Sequence, residues 1–176
     1  MSLNYTEEEL NLLANTPQLL GATMAFAGSS GLFGTGKEMF TNAKSVLAGI
    51  KDYPNNALIQ AILPNVQGVA ADEVAKMKKI RDWGTARMKA KDVDSADKFQ
   101  EAALADCKEV MALLATKSSA QEADEYKQWA LSVAEKVAMA TSEGSFLGFG
   151  GEQFSANEKL LLSQIETVLG IKSTLA

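Results

Sequence analysis

Residues 19–50 read LLGATMAFAGSSGLFGTGKEMFTNAKSVLAGI, and residues 131–171 read LSVAEKVAMATSEGSFLGFGGEQFSANEKLLLSQIETVLGI. Each stretch has an apolar helix-forming segment, then a loop rich in glycine and phenylalanine, then a helix-start signal and a second helix-forming segment. When Phe40 is aligned with Phe154, two glycine pairs coincide without gaps, Gly34 with Gly148 and Gly36 with Gly150. The two stretches therefore predict an internal repeat.

The repeat predicts an all-α fold with approximate two-fold symmetry. The chain has 176 residues, which fits one domain, so we expect a single helical domain over residues 1–176. Its repeats are predicted at about residues 17–51 and 120–171, within a bundle of about six or seven helices. Helix-forming residues dominate throughout, and no segment alternates in the way that a strand does.

Local signals predict several helix boundaries. Capping boxes, Ser or Thr followed three residues later by Glu, begin at Thr6, Ser119 and Ser155. The Thr16-Pro17 pair is typical of a helix start and predicts that a second, core helix begins there. A helix is also predicted at about residues 66–89, with these apolar residues near one face: Val66, Val69, Val74, Met77, Ile80 and Met88.

The charge and the rare residue types exclude several functions. The net charge of −5 gives nucleic acid no favourable long-range field, and the basic run between Lys76 and Lys91 is interpreted as a solvated helix face. There is no histidine, which removes Ser-His-Asp and Cys-His catalysis and histidine metal sites. Cys107 is the single cysteine, and we predict that it is buried. We therefore expect a protein that is not an enzyme.

The sequence also bears on location and nucleotide binding. Residues 10–36 carry no charge, but their glycines and polar side chains argue against a membrane span, and no signal-type segment begins the chain. We expect a cytoplasmic protein without peripheral membrane contact. The stretch GLFGTGK has the spacing of a phosphate-binding loop, but Glu38 stands where that loop needs Ser or Thr, so no nucleotide cofactor is expected.

The loops are rich in aromatic residues. Six of the seven phenylalanines lie in or beside them: Phe26, Phe33, Phe40, Phe146, Phe149 and Phe154. One interpretation is that the rings fold over the bundle and pack against each other. The other is that Phe33, Phe146, Leu147 and Phe149 are exposed and bind a protein partner. Our leading hypothesis for function is a binding module that uses these loops as its contact surface.

The second copy of the repeat, residues 131–171, resembles a known protein family. ALSVAEKVAMATSEGSF followed by SANEKLLLSQIETVLG resembles the TerB-like (tellurite-resistance protein B-like) family of small bacterial all-helical proteins. That family has an alanine-rich helix, an acidic turn with glycine, and Glu-Lys near the start of the next helix. The resemblance implies a helical bundle and a site for a divalent cation such as calcium. Its candidate ligands here are Glu143, Glu158 and Glu152.

Overall fold

The chain folds into an all-α bundle, as predicted. The computed structural model describes residues 4–28, 36–64, 71–144, 154–173 and 175. Within these ranges, only the backbone is described for residues 141–144. Within these ranges there is no strand, and the helices are α1 (Glu7–Gly28), α2 (Gly36–Asp52), α3 (Ala57–Ile62), α4 (Ala71–Ala90), α5 (Ala96–Lys117), α6 (Ala120–Gly144) and α7 (Ala156–Leu169). No helix in the described part of the chain is long and apolar enough to cross a membrane.

Helix α1 is the centre of the bundle. It packs against all six other helices, and every residue from 11 to 25 is buried except Gln18. Its side chains are apolar on nearly every face, which is the pattern of a helix surrounded by protein. The prediction that the apolar segment near the start of the chain lies in the core is therefore confirmed.

The prediction of a separate helix start at Thr16-Pro17 is wrong. Helix α1 continues through Pro17, and the Thr16 hydroxyl donates back to the carbonyl oxygen of Leu12 at 2.9 Å instead of capping a new helix. Proline has no N–H to donate to the carbonyl oxygen four residues earlier. The hydroxyl of Tyr126 in α6 donates to that oxygen, on Leu13, at 2.7 Å. A side chain from another helix thus satisfies the acceptor that proline leaves free.

Helices α1 and α6 run parallel, side by side. Tyr5, just before α1, forms a hydrogen bond with Ser118, just before α6. Eight residues further along both helices, Tyr126 of α6 forms a hydrogen bond with Leu13 of α1. The two residues of each pair are 113 positions apart in sequence. This separation is nearly that of Phe40 and Phe154, the aligned residues of the predicted repeat. A pseudo-two-fold axis along the two helices requires such a register. The repeat itself stays a prediction.

Most predicted caps form. Thr6 and Glu9 exchange side-chain and backbone hydrogen bonds at the start of α1, and Ser119 does the same with Glu122 at the start of α6. Ser155 and the glutamate three residues later close a capping box on α7. Helix α7 ends at Leu169 and is capped by Gly170, whose φ of 68° is the left-handed conformation that favours glycine.

Helix α4 differs from its sequence-based interpretation. Its predicted apolar face is only partly buried: Val74 is 53% and Met77 46% exposed, whereas Ile80 packs partly buried against the core. Val66 and Val69 lie outside the described residues, and Gly84 is the one buried residue of the helix. The basic run is not simply a solvated face either. Arg87 and Lys91 turn inward and bind the carboxylate of Asp106 in α5, which is completely buried. Helix α4 is therefore attached to the bundle by buried ion pairs as well as by the packing of Ile80 and Trp83 against the core.

Candidate functional site

Both Gly/Phe loops start from the same end of the bundle. Because α1 and α6 are parallel, their C-terminal turns lie together, and residues 29–35 and 145–153 continue from them. Helix α2 runs back along α1, since the Asn42 amide donates to the carbonyl oxygen of Gln18 at 2.9 Å. The last turns of α1 and α6 and the first turns of α2 and α7 form what we call the loop end.

Exposed apolar side chains are concentrated at the loop end. In the described part of the chain, six large hydrophobic residues are exposed, and four of them lie within about two turns of a Gly/Phe loop. These four are Met39 at 44%, Phe40 at 70%, Met139 at 41% and Leu160 at 60% exposed. Single exposed apolar residues are common on protein surfaces, but a concentration of them is typical of an interaction surface.

A small cleft opens at the loop end between α1, α5 and α7. Its volume is about 320 Å³, and its lining residues include Thr23, Phe26, Asp97, Gln100, Asn157 and Leu160. Phe26 packs edge-on against Phe99 of α5, with ring centroids 5.3 Å apart, and this contact fixes one wall. The lining mixes amide, carboxylate and apolar groups, so it could contact a polypeptide through both hydrogen bonds and apolar packing.

The predicted partner-binding residues fall outside the described part of the chain. These residues are Phe33, Phe146, Leu147 and Phe149. The two aligned phenylalanines next to the loops are described, and their environments differ, because Phe40 is 70% exposed whereas Phe154 is 9% exposed. If the halves are duplicates, one of these rings has become part of the core and the other has remained on the surface.

Of the three predicted metal ligands, the structure describes the side chain of Glu158 alone. The carboxylate of Glu158 accepts hydrogen bonds from the backbone N–H and the hydroxyl of Ser155, each at 2.8 Å, and so serves the capping box. The side chain of Glu143 and the whole of Glu152 lie outside the described residues. Across the ranges that are described, no group of three or more Cys, Asp or Glu residues could hold a metal ion. The metal site stays a prediction.

The described core holds no activated thiol. Cys107 is completely buried, which confirms its predicted position, and burial together with the adjacent Asp106 raises the pKa of its thiol to about 12. The thiol is therefore protonated at neutral pH and is a poor nucleophile. Burial likewise raises the pKa of the Tyr126 hydroxyl well above its ordinary value, so that it remains a hydrogen-bond donor to Leu13.

Sequence reasoning missed several features of these surfaces, among them the exposure of Leu160 and both clefts. Leu160 begins the run Leu160-Leu161-Leu162, and three consecutive helical residues cannot all face the same side, so the run itself signals that one leucine is exposed. The second cleft, of about 460 Å³ between α1, α2, α3 and α4, had no such signal, because residues from four helices line it.

We compared the chain with protein-family models, curated sequences and solved structures. No protein-family model, no curated protein sequence and no solved structure matches the chain. The resemblance to the TerB-like family therefore stays a prediction.

Proposed function

We propose that this protein is a binding module without catalytic activity, and that the loop end is its contact surface for a protein partner. The observation that carries the proposal is the concentration of Met39, Phe40, Met139 and Leu160, all exposed, next to the two Gly/Phe loops. Phe40 is the most exposed of them. Burying such a ring on association removes a large apolar area from water, and aromatic anchors contribute much of the affinity of many interfaces.

The helical scaffold supports this role by its rigidity at the loop end. Asn42, two residues after Phe40, donates to α1, and the carbon atom that an alanine would add at Gly21 would lie 2.3 Å from the Asn42 amide oxygen. The backbones of α1 and α2 therefore approach closely below the exposed residues. A contact surface held in one conformation loses less conformational entropy on binding.

The test is affinity capture from extracts of the source cells, with the protein immobilised. Phe40→Ser and Leu160→Ser are the loop-end variants, and Val74→Ser is the matched control, an exposed apolar residue on α4. We expect one specific partner to be retained by the wild type and the control, and to bind at least about tenfold more weakly to the loop-end variants. Equal capture by all four proteins contradicts the proposal.

Two measurements complete the experiment. Thermal unfolding of each variant should stay near that of the wild type, because all three side chains are exposed and surface substitutions usually change stability little. Sedimentation velocity of the pure protein shows whether the partner is a second copy of the chain. A loop-end variant that unfolds at much lower temperature would indicate that Phe40 or Leu160 serves folding rather than binding.

A further inference from the structure

The second cleft is an apolar trough in the side of the bundle. It has a volume of about 460 Å³, within the range of roughly 300–1,000 Å³ typical of small-molecule sites. Its floor is made by buried apolar residues of α1, α2 and the end of α3, among them Ala14, Val46, Ile62 and Leu63. The floor is thus an apolar surface against which a hydrocarbon chain can pack.

The cleft lies beside the first half of α4, which polar contacts hold to α1 and to the end of α3, while apolar packing of α4 on the core involves Ile80 and Trp83. The Lys76 ammonium group donates to the carbonyl oxygens of Ala61 and Leu63 at 2.6 and 2.8 Å, and so holds α4 to the end of α3. Midway along α4, the Asn15 amide donates to the carbonyl oxygen of Ile80 at 3.0 Å. Met77, which lies between these contacts, and Val74, which lies before them, line the cleft and remain about half exposed.

The rim of the cleft is positively charged. Lys78 and Arg81 of α4 are among the lining residues, and no described lining residue is acidic. Arg81 also bonds Asp82 at 3.0 Å, and its side chain is 70% exposed, whereas Lys78 has no ion-pair partner in the described ranges. In a chain with a net charge of −5, a cleft lined by two cationic side chains, of which Lys78 has no acidic partner among the described residues, favours an anionic ligand.

We propose that this cleft binds a single-chain anionic amphiphile of the long-chain fatty-acid type. The hydrocarbon chain lies on the apolar floor against Val74 and Met77, and the carboxylate lies at the rim beside Lys78 and Arg81. Met77 suits this role because its flexible thioether side chain adapts to chains of different length. This site is separate from the loop end, and the inference does not depend on the function proposed there.

The direct test is isothermal titration calorimetry of the full chain with laurate below its critical micelle concentration. We expect saturable binding with one ligand per protein. Decanoate, shorter by two methylenes, should bind about tenfold more weakly, as expected for two fewer buried methylenes. Dodecyltrimethylammonium, with a chain of similar length and the opposite charge, should bind at least about tenfold more weakly than laurate. Equal affinity for laurate and dodecyltrimethylammonium, or no saturable binding of laurate, overturns the proposal.

Paired variants locate the site. Val74→Asp places a negative charge in the cleft, and Leu160→Asp places one at the loop end, each on an exposed residue in the first turns of its helix. Val74→Asp should abolish laurate binding and Leu160→Asp should leave it unchanged. The double variant Lys78→Glu/Arg81→Glu should weaken binding far more than Lys89→Glu/Lys108→Glu, which reverses two exposed charges elsewhere. Equal effects within either pair show nonspecific binding and refute the assignment.

Discussion

The carbonyl oxygen of Leu13 connects a local irregularity to the tertiary fold. Pro17 leaves this oxygen without its helical donor, and a proline inside a helix ordinarily costs about 3 kcal/mol or more. The Tyr126 hydroxyl replaces the missing donor at 2.7 Å from within the core, where water cannot compete. The hydroxyl thus offsets part of the cost and fixes α6 in register with α1.

Removing this hydroxyl tests its role. Tyr126→Phe should lower the free energy of unfolding by about 1–3 kcal/mol, because it leaves a buried acceptor unpaired. Urea denaturation measures the loss, and Tyr53→Phe is the control, since the Tyr53 hydroxyl has no hydrogen bond in the described part of the chain. In a Pro17→Ala background the residue at 17 can donate to Leu13, so Tyr126→Phe should cost less there. An equal cost in both backgrounds would contradict the mechanism.

Glu166 couples the end of the chain to pH. Its carboxylate accepts the backbone N–H of Ser173 at 2.7 Å and the Lys172 ammonium at 3.1 Å, and the backbone N–H first, then the lysine, lowers its pKa below the ordinary 4.5. A lowered folded pKa means that the stabilisation is complete above about pH 4.5 and is lost as the pH falls through the folded pKa.

Stability measured against pH checks this coupling. The free energy of unfolding of the wild type should fall as the pH drops below about 4.5, and the fall should be shallower in Glu166→Gln, which cannot take up the proton. Thr167→Val, at the adjacent exposed position, removes no carboxylate and should keep the wild-type slope. If Glu166→Gln also keeps that slope, the carboxylate does not supply this pH dependence.

Among the helices, α4 depends most on charged groups. The Arg87 guanidinium binds both oxygens of the buried Asp106 carboxylate at 2.8–3.1 Å, and it also reaches Glu109 at 2.6 Å. Trp83 stacks beside the guanidinium, 5.2 Å from ring centroid to Cζ. Removing one member of a buried ion pair is strongly destabilising, because it leaves the partner charge without compensation.

Asp106→Asn should therefore loosen α4 more than the rest of the bundle. Hydrogen–deuterium exchange read peptide by peptide should become faster over residues 71–90 and change less over α1 and α6. The free energy of unfolding of the whole protein should fall by no more than about 5 kcal/mol. Glu101→Gln, on an exposed position of the same helix α5, is the control and should leave exchange in α4 as it was. Uniformly faster exchange in all helices would show that α4 is not a separate unit.

At the level of elements, the sequence predicted the helix starts that are formed by hydrogen bonds between residues close together in sequence. The boxes at Thr6, Ser119 and Ser155 mark true helix starts because donor and acceptor lie three residues apart. Thr16-Pro17 misled because the group that keeps the helix continuous, Tyr126, lies far away in sequence. The attachment of α4 through Asp106 was missed for the same reason.

The whole molecule is organised around α1. Because this helix contacts every other helix, a cavity in it should weaken all parts together. Leu20→Ala, at a completely buried residue of α1, should cost about 2–5 kcal/mol of unfolding free energy. Circular dichroism and tryptophan fluorescence should follow the same shifted denaturation curve.

Leu160→Ala is the matched control for this prediction. It makes the same substitution at a leucine that is 60% exposed, and it should change the unfolding free energy by no more than about 0.5 kcal/mol. Equal losses from the two substitutions would contradict the central position of α1.

The candidate surface was less predictable than the bundle. Apolar periodicity indicates which segments are helices, but it does not say which of two equivalent rings is buried, and Phe40 and Phe154 differ in this respect. The cleft beside α4 depends on the distance between α4 and the helices α1, α2 and α3, and no short stretch of sequence encodes that distance.

The bond between Tyr126 and Leu13 also constrains the evolutionary history of the chain. A lineage that lost the tyrosine while keeping Pro17 would carry an uncompensated defect in its central helix, whereas a lineage that first replaced the proline could then change the tyrosine freely. In descendants of a common ancestor these two positions should therefore covary, with the change at 17 preceding the change at 126.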